Sequence, residues 1–73
     1  MKRWEQYEVW ALTDGEWEFR FSSRHFDLAW AVTRIRAEKR SGAVRMMRAV
    51  YNGNTVAETE IIADLSLAGE PHP

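Results

Sequence analysis

Cysteine is missing from this 73-residue sequence, so disulfide bonds and thiol chemistry are both excluded. The two histidines, His25 and His72, stand far apart with no cysteine near either, so we expect no metal site and no cofactor. The core of so short a chain usually contributes only ~3–5 kcal/mol. Further stability must therefore come from dense aromatic packing or from association between copies.

Long apolar runs are missing as well. No stretch approaches the roughly 18 apolar residues that indicate a membrane-spanning helix. The first residues, "MKRWEQYE", become acidic and aromatic where a secretory signal would become apolar. Together with the lack of cysteine, these features predict no membrane partner and a cytoplasmic location.

Signatures of catalysis are also lacking, since the sequence has no Gly-rich phosphate loop and no paired-carboxylate pattern. His25 stands beside Ser22, Ser23 and Asp27, but a catalytic triad usually draws its members from separate segments. We interpret this cluster as a capping turn before a helix. We therefore expect no enzymatic activity and assign no catalytic or cofactor-binding residue.

Aromatic residues, in contrast, are plentiful: four Trp, three Phe and two Tyr. Several flank the Asp-Gly pair at 14–15 in "YEVWALTDGEWEFRF", and this pair favours a two-residue hairpin turn because both positions need positive φ. The resulting register places Trp10 opposite Phe19 and Val9 opposite Arg20. The face predicted to contact the core then carries Trp10, Leu12, Trp17, Phe19 and Phe21.

A single helix is predicted to begin within 24–27 and to end at 39–40, where Gly42 can take the left-handed conformation that terminates helices. Its predicted core stripe consists of Leu28, Ala31, Val32 and Ile35. Trp30 is the exception, because at about 100° per residue it lies roughly opposite Leu28. The chain's own residues, Trp4 and Phe26 among them, could cover this ring, or it could anchor a protein interface with Arg34 at the rim. A third alternative is that it stacks on a nucleic-acid base or a ligand.

A second hairpin is predicted around Asn52-Gly53, another preferred turn pair. A two-residue turn pairs Arg45 with Glu60, whereas a three-residue turn pairs Arg48 with Glu58. The full order is β-β-α-β-β, which predicts an α+β fold: a four-stranded antiparallel sheet with one helix packed on one face. We expect a single domain over residues 1–65 and a flexible tail over 66–73.

The stretch from Tyr7 to Tyr51 resembles a loose group of small bacterial proteins. The matching pieces are "VWALTDGEWE", the helix around Ala29 and Ala31, "AVRMM" and Tyr51. The group shares an Asp-Gly-x-Trp-Glu hairpin, one helix and a second hairpin. It carries no assigned activity, so the resemblance implies a fold and no site residues.

The predicted sheet leaves one face bare. Either this face is solvated, or two copies pack sheet against sheet as a homodimer. The candidate interface residues on the bare face and the helix are Trp30, Arg34, Tyr7, Val9, Met47, Tyr51 and Ile62. The expected function is a small non-enzymatic protein-interaction module that forms a homodimer. An alternative is a phage- or mobile-element-type inhibitor that binds a host protein complex.

Charge is distributed unevenly along the chain. Residues 24–48 carry seven arginines and lysines against two acids, whereas residues 49–73 carry acids and no base. The basic segment raises a second alternative, a nucleic-acid-binding domain that uses Arg34, Arg36, Lys39, Arg40, Arg45 and Arg48. The net charge of −1 and the acidic C-terminal third argue against it.

Overall fold

The computed structural model describes residues 2–39 and 43–65, with the side chain of Lys39 left out. Its elements are β1 (Arg3–Thr13), β2 (Glu16–Ser23), α1 (Phe26–Lys39), β3 (Val44–Asn52) and β4 (Thr55–Leu65). The strands form one antiparallel sheet in the order β2-β1-β3-β4, and α1 packs against it. The predicted α+β fold and the predicted limits of the helix are confirmed. The expected tail at 66–73 and the helix-ending pair at 41–42 lie outside the described residues.

The first hairpin turns where the sequence indicates. Asp14 and Gly15 have φ values of 53° and 84°, as a two-residue turn with positive φ at both positions requires. The predicted pairs from Thr13 opposite Glu16 back to Trp10 opposite Phe19 are confirmed.

The register then shifts by one residue in β2. Val9 lies opposite Phe21, so Arg20 is an extra residue that forms a β-bulge. The predicted pairing of Val9 with Arg20 is therefore wrong. Because neighbouring side chains in a strand point to opposite faces, the bulge lets Phe21 join the face of Val9 while Phe19 stays on the face of Trp10.

The helix packs on the face of Val9, not on the face that carries the tryptophans. The core cluster comprises Val9, Ala29, Val44 and Met46, and the side chains packed around it are Tyr7, Phe21, Trp30, Val32, Ala37, Ile62 and Ala63. The predicted core face of the first hairpin is thus wrong for every member except Phe21.

The helix itself is rotated relative to the prediction. Ala29 and Thr33 are fully buried, whereas Leu28 and Ile35 are 49% and 51% exposed. Small residues at Ala29, Thr33 and Ala37 form a flat side that fits closely against the large side chains of the sheet. Trp30 borders this side and packs against the core, so its predicted place on the polar side is wrong.

The second hairpin is displaced from both predicted registers. Its turn centres on Gly53, at φ 61°, and Asn54, so Asn52 lies opposite Thr55. A first register shift, between Val50 and Tyr51, places Arg48 opposite Glu60 and Met47 opposite Ile61. A second shift, between Met46 and Met47, places Arg45 opposite Asp64. The predicted ion pair of Arg45 with Glu60 is therefore replaced by one with Asp64, at 3.1 Å.

Candidate functional site

The sheet face away from the helix, here called the open face, is covered by no other element of the described residues. Pairing across the four strands places on it Trp4, Gln6, Glu8, Trp10, Leu12, Trp17, Phe19, Ser22, Arg45, Met47, Ala49, Tyr51, Val56, Thr59, Ile61 and Asp64. This face therefore holds three of the four tryptophans of the chain.

A buried carboxylate organises the centre of the open face. Glu8 is only 6% exposed. Its Oε2 accepts hydrogen bonds from Tyr51 Oη at 2.6 Å and Gln6 Nε2 at 2.8 Å, and its Oε1 accepts one from Trp10 Nε1 at 3.0 Å. The hydrogen bond to Glu8, helped by burial, raises the pKa of Tyr51 above its ordinary value. Three donors thus satisfy the charge, and the two aromatic rings are held in fixed positions.

Ring-to-ring contacts extend this order across β1, β2 and β3. Trp4 stacks on Tyr51 with centroids 4.4 Å apart, and its Nε1 donates to the Gly53 carbonyl at 2.9 Å. Trp10 meets Phe19 edge to face at 5.6 Å. Stacked and edge-to-face ring pairs stabilise a fold by more than the burial of their apolar area alone. These contacts therefore hold the aromatic surface in place.

The cationic side chain of the open face is engaged twice. The Arg45 guanidinium carbon lies 4.1 Å from the Trp17 ring centroid, and Arg45 Nη2 contacts Asp64 Oδ2 at 3.1 Å. A guanidinium on an indole face gains cation–π attraction in addition to the ion pair. Glu8, Arg45 and Asp64 are the three charged strand residues of the open face, and each has a partner within the chain. At its edge, the Arg24 guanidinium carbon lies 5.5 Å from the Trp4 ring centroid.

The charges elsewhere on the sheet lie on its helix side. Arg48 contacts Glu5 at 2.6 Å, Glu58 at 3.3 Å and Glu60 at 3.4 Å. These hydrogen bonds and charges, that from Glu5 foremost, raise the pKa of Arg48 above its ordinary value. The described part of the sheet is thus divided into a charged, solvated region and a charge-poor aromatic face.

Two of the predicted interface residues, Met47 and Tyr51, lie on the open face. Val9 is fully buried under the helix, and Tyr7 and Ile62 pack around the same core, so these three do not lie on the bare face to which they were assigned. Sequence reasoning missed Glu8 and the tryptophans of the open face. The period-two series Trp4, Gln6, Glu8, Trp10 and Leu12 is a signal that could have found them.

The two predicted interface residues on the helix, Trp30 and Arg34, lie in different surroundings. Trp30 packs against the core. Arg34 is exposed on the outer side of the helix. The ring of Trp30 stays partly exposed, so an interface that includes it remains a prediction.

The basic residues proposed to bind nucleic acid do not form one surface among those described. Arg45 and Arg48 lie on opposite faces of β3, and both are paired with acids. Arg34 is exposed and Arg36 half-buried on the helix. Arg40 and the side chain of Lys39 lie outside the described residues.

Near His25, Ser23 Oγ accepts a hydrogen bond from the His25 backbone N–H at 3.0 Å, which is a capping-turn geometry. In residues 2–39 and 43–65, no group of three or more His, Asp or Glu side chains is placed to hold a metal ion. None of the helices in this part of the chain is long and apolar enough to cross a membrane. Comparisons with protein-family models, curated proteins and solved structures found no match.

Proposed function

We propose that this chain is a small protein-interaction module that binds a partner protein through the open face of its sheet. The observation that supports this is the composition of that face: three tryptophans, Tyr51 and Met47, with three charges that are all paired internally. Protein interfaces are enriched in Trp, Tyr, Met and Arg and depleted in Lys, Glu and Asp at their centres. A solvated sheet face normally has the opposite composition.

The same composition defines the chemistry of the partner. Because Glu8, Arg45 and Asp64 are each paired within the chain, a charged surface gains little there. Phe19, Val56 and Ile61 are each about half exposed and offer aliphatic and aromatic contact instead. The partner surface is therefore apolar and nearly uncharged, and its binding should depend weakly on salt, unlike binding to a phosphate backbone.

The module acts in the cytoplasm, a location that suits a chain without cysteine. An inhibitor that blocks a host complex would be one form of such a module, because masking a surface requires no catalysis. Either role uses the same face, and the roles differ only in what the partner does.

Site-specific photo-crosslinking tests this proposal in the native organism. A benzophenone amino acid replaces Ile61 in one variant and Glu60 in its matched control. These neighbours lie on opposite faces of β4. We expect position 61 to give one discrete protein adduct that position 60 does not give. A third variant with the benzophenone at Val56, on the same face as Ile61, should cross-link to the same protein.

The adduct protein is then purified and titrated against the wild type and against Ile61→Lys. We expect Ile61→Lys to weaken binding at least tenfold, and we expect salt to change the wild-type affinity little. Adducts of equal yield from positions 60 and 61, adducts to nucleic acid, or binding unaffected by Ile61→Lys would overturn the proposal.

A further inference from the structure

The outer side of α1 carries a second apolar surface, separate from the open face. Leu28 and Ile35 are about half exposed, and Ala31 between them is exposed. At about 100° per residue, these three residues, here called the outer stripe, lie on the side of the helix roughly opposite Ala29 and Thr33. The helix is thus apolar on both of its sides.

A helix face with exposed apolar residues is suited to packing against another element. Nothing in the described part of the chain covers the outer stripe. Its shape also suits another helix, since a small residue, Ala31, stands between two branched aliphatic side chains and allows close approach of a second backbone.

The charges beside the outer stripe indicate which helix would fit. Asp27 and Arg34 are exposed and lie on the same flank of the stripe, seven positions apart and on either side of Ala31. No ion pair joins either of them to another described residue. A partner helix needs a cation near Asp27 and an anion near Arg34.

A second copy of α1, running antiparallel, meets this requirement. A twofold axis perpendicular to the helices and close to Ala31 places Leu28 beside the partner's Ile35. The same axis keeps the charged flanks of both helices on one side, so Asp27 of each copy lies beside Arg34 of the partner subunit. A parallel pair would instead set the charged flank against the flank of Val32 and leave both charges unpaired.

From this self-complementarity we infer that two copies of the chain associate through their outer stripes as an antiparallel helix pair centred on Ala31. The open faces then lie on the far sides of the two protomers. A dimer of this form presents two open faces at once, which favours bivalent binding.

Charge reversal tests the inference by sedimentation velocity over a concentration series. Asp27→Arg and Arg34→Asp each make both symmetry-related pairs repulsive, so each variant alone should dimerise roughly tenfold more weakly than the wild type. An equimolar mixture should recover the dimer as a heterodimer, because each copy then carries the charges that the other lacks. The double variant, Asp27→Arg with Arg34→Asp, should dimerise like the wild type. Circular dichroism and thermal melts verify that all variants fold.

A single cysteine at the twofold axis gives an independent measurement. The chain has no cysteine, so Ala31→Cys introduces one thiol at the predicted centre of the helix pair, and mild oxidation should cross-link it rapidly. Glu16→Cys, at the exposed tip of the first hairpin, is the matched control and should cross-link slowly.

Three results would overturn the inference. The wild type could remain monomeric across the series, or the charge-reversed mixture could fail to associate. The dimer could also dissociate with Ile61→Lys on the open face while Asp27→Arg leaves it intact. In that last case two copies would pack sheet against sheet. The partner assay under the proposed function uses a different face, so the two ideas fail separately.

Discussion

Tyr51 Oη donates a 2.6 Å hydrogen bond to the carboxylate of Glu8, a residue 43 positions away that is almost completely buried. This bond joins β3 to β1 at the centre of the open face, beneath the stacked ring of Trp4. The hydrogen bond stabilises the Glu8 carboxylate, which is almost inaccessible to water.

Tyr51→Phe should therefore destabilise the fold. The substitution keeps the ring but removes one of the three donors to a buried carboxylate, and we expect a loss of about 1–3 kcal/mol in the free energy of unfolding. Tyr7→Phe is the matched control, because Tyr7 meets Phe26 through its ring, edge to face at 5.4 Å. Urea unfolding followed by tryptophan fluorescence measures both. Equal losses from the two variants would contradict a special role for the hydrogen bond to Glu8.

The same hydrogen bond predicts how stability depends on alkaline pH. The pKa of Tyr51 is raised in the folded protein, so the folded state binds the phenolic proton more tightly than the unfolded state. In the unfolded state the pKa of tyrosine is about 10. The stabilisation is complete below that pH and is lost as the pH rises through the higher folded-state pKa. Unfolding free energies measured from neutral to strongly alkaline pH should decline more steeply for the wild type than for Tyr51→Phe. Parallel curves would contradict the linkage.

Deleting Arg20 should be tolerated. The residue is the extra one in the β2 bulge, so its removal leaves Trp10 opposite Phe19 and Val9 opposite Phe21. We expect a change of less than about 1 kcal/mol in stability. Deleting Glu18, which lies in the regular part of the ladder, moves Phe19 to the other face and should cost more than about 2 kcal/mol. Thermal melts compare the two deletions, and the reverse order of stability would be incompatible with the bulge.

On the helix, Trp30→Ala should lower the free energy of unfolding much more than Leu28→Ala. Trp30 packs against the core, and truncating it leaves a cavity, so we expect a loss of about 3 kcal/mol. Leu28 is half exposed. Leu28→Ala should therefore cost less than about 1 kcal/mol at concentrations where the chain is monomeric. Urea titrations at low protein concentration measure both. A larger loss for Leu28→Ala would restore the helix orientation expected from the sequence.

Much of the fold can be predicted from local chemistry. Asp14 and Gly15 need no distant contact to form a two-residue turn, and the helix limits follow from the residue pattern near its ends. The candidate site was less predictable. Met47 and Tyr51 were assigned to the bare face because β3 alternates regularly. Glu8 was not recognised, because its donor Tyr51 comes from β3 and lies beside it only in the assembled sheet.

The sequence by itself determined the order of the elements, the antiparallel hairpins and the first turn, because these depend on neighbours along the chain. The tertiary structure decided which sides of the sheet and the helix were buried together. A single extra residue, Arg20, moved Phe21 to the face of Val9, since strand side chains alternate with a period of two. The helix packs on that face through its small residues, Ala29 and Thr33, and leaves its more apolar stripe exposed. The reason is close packing, because a flat helix surface fits against large side chains of the sheet.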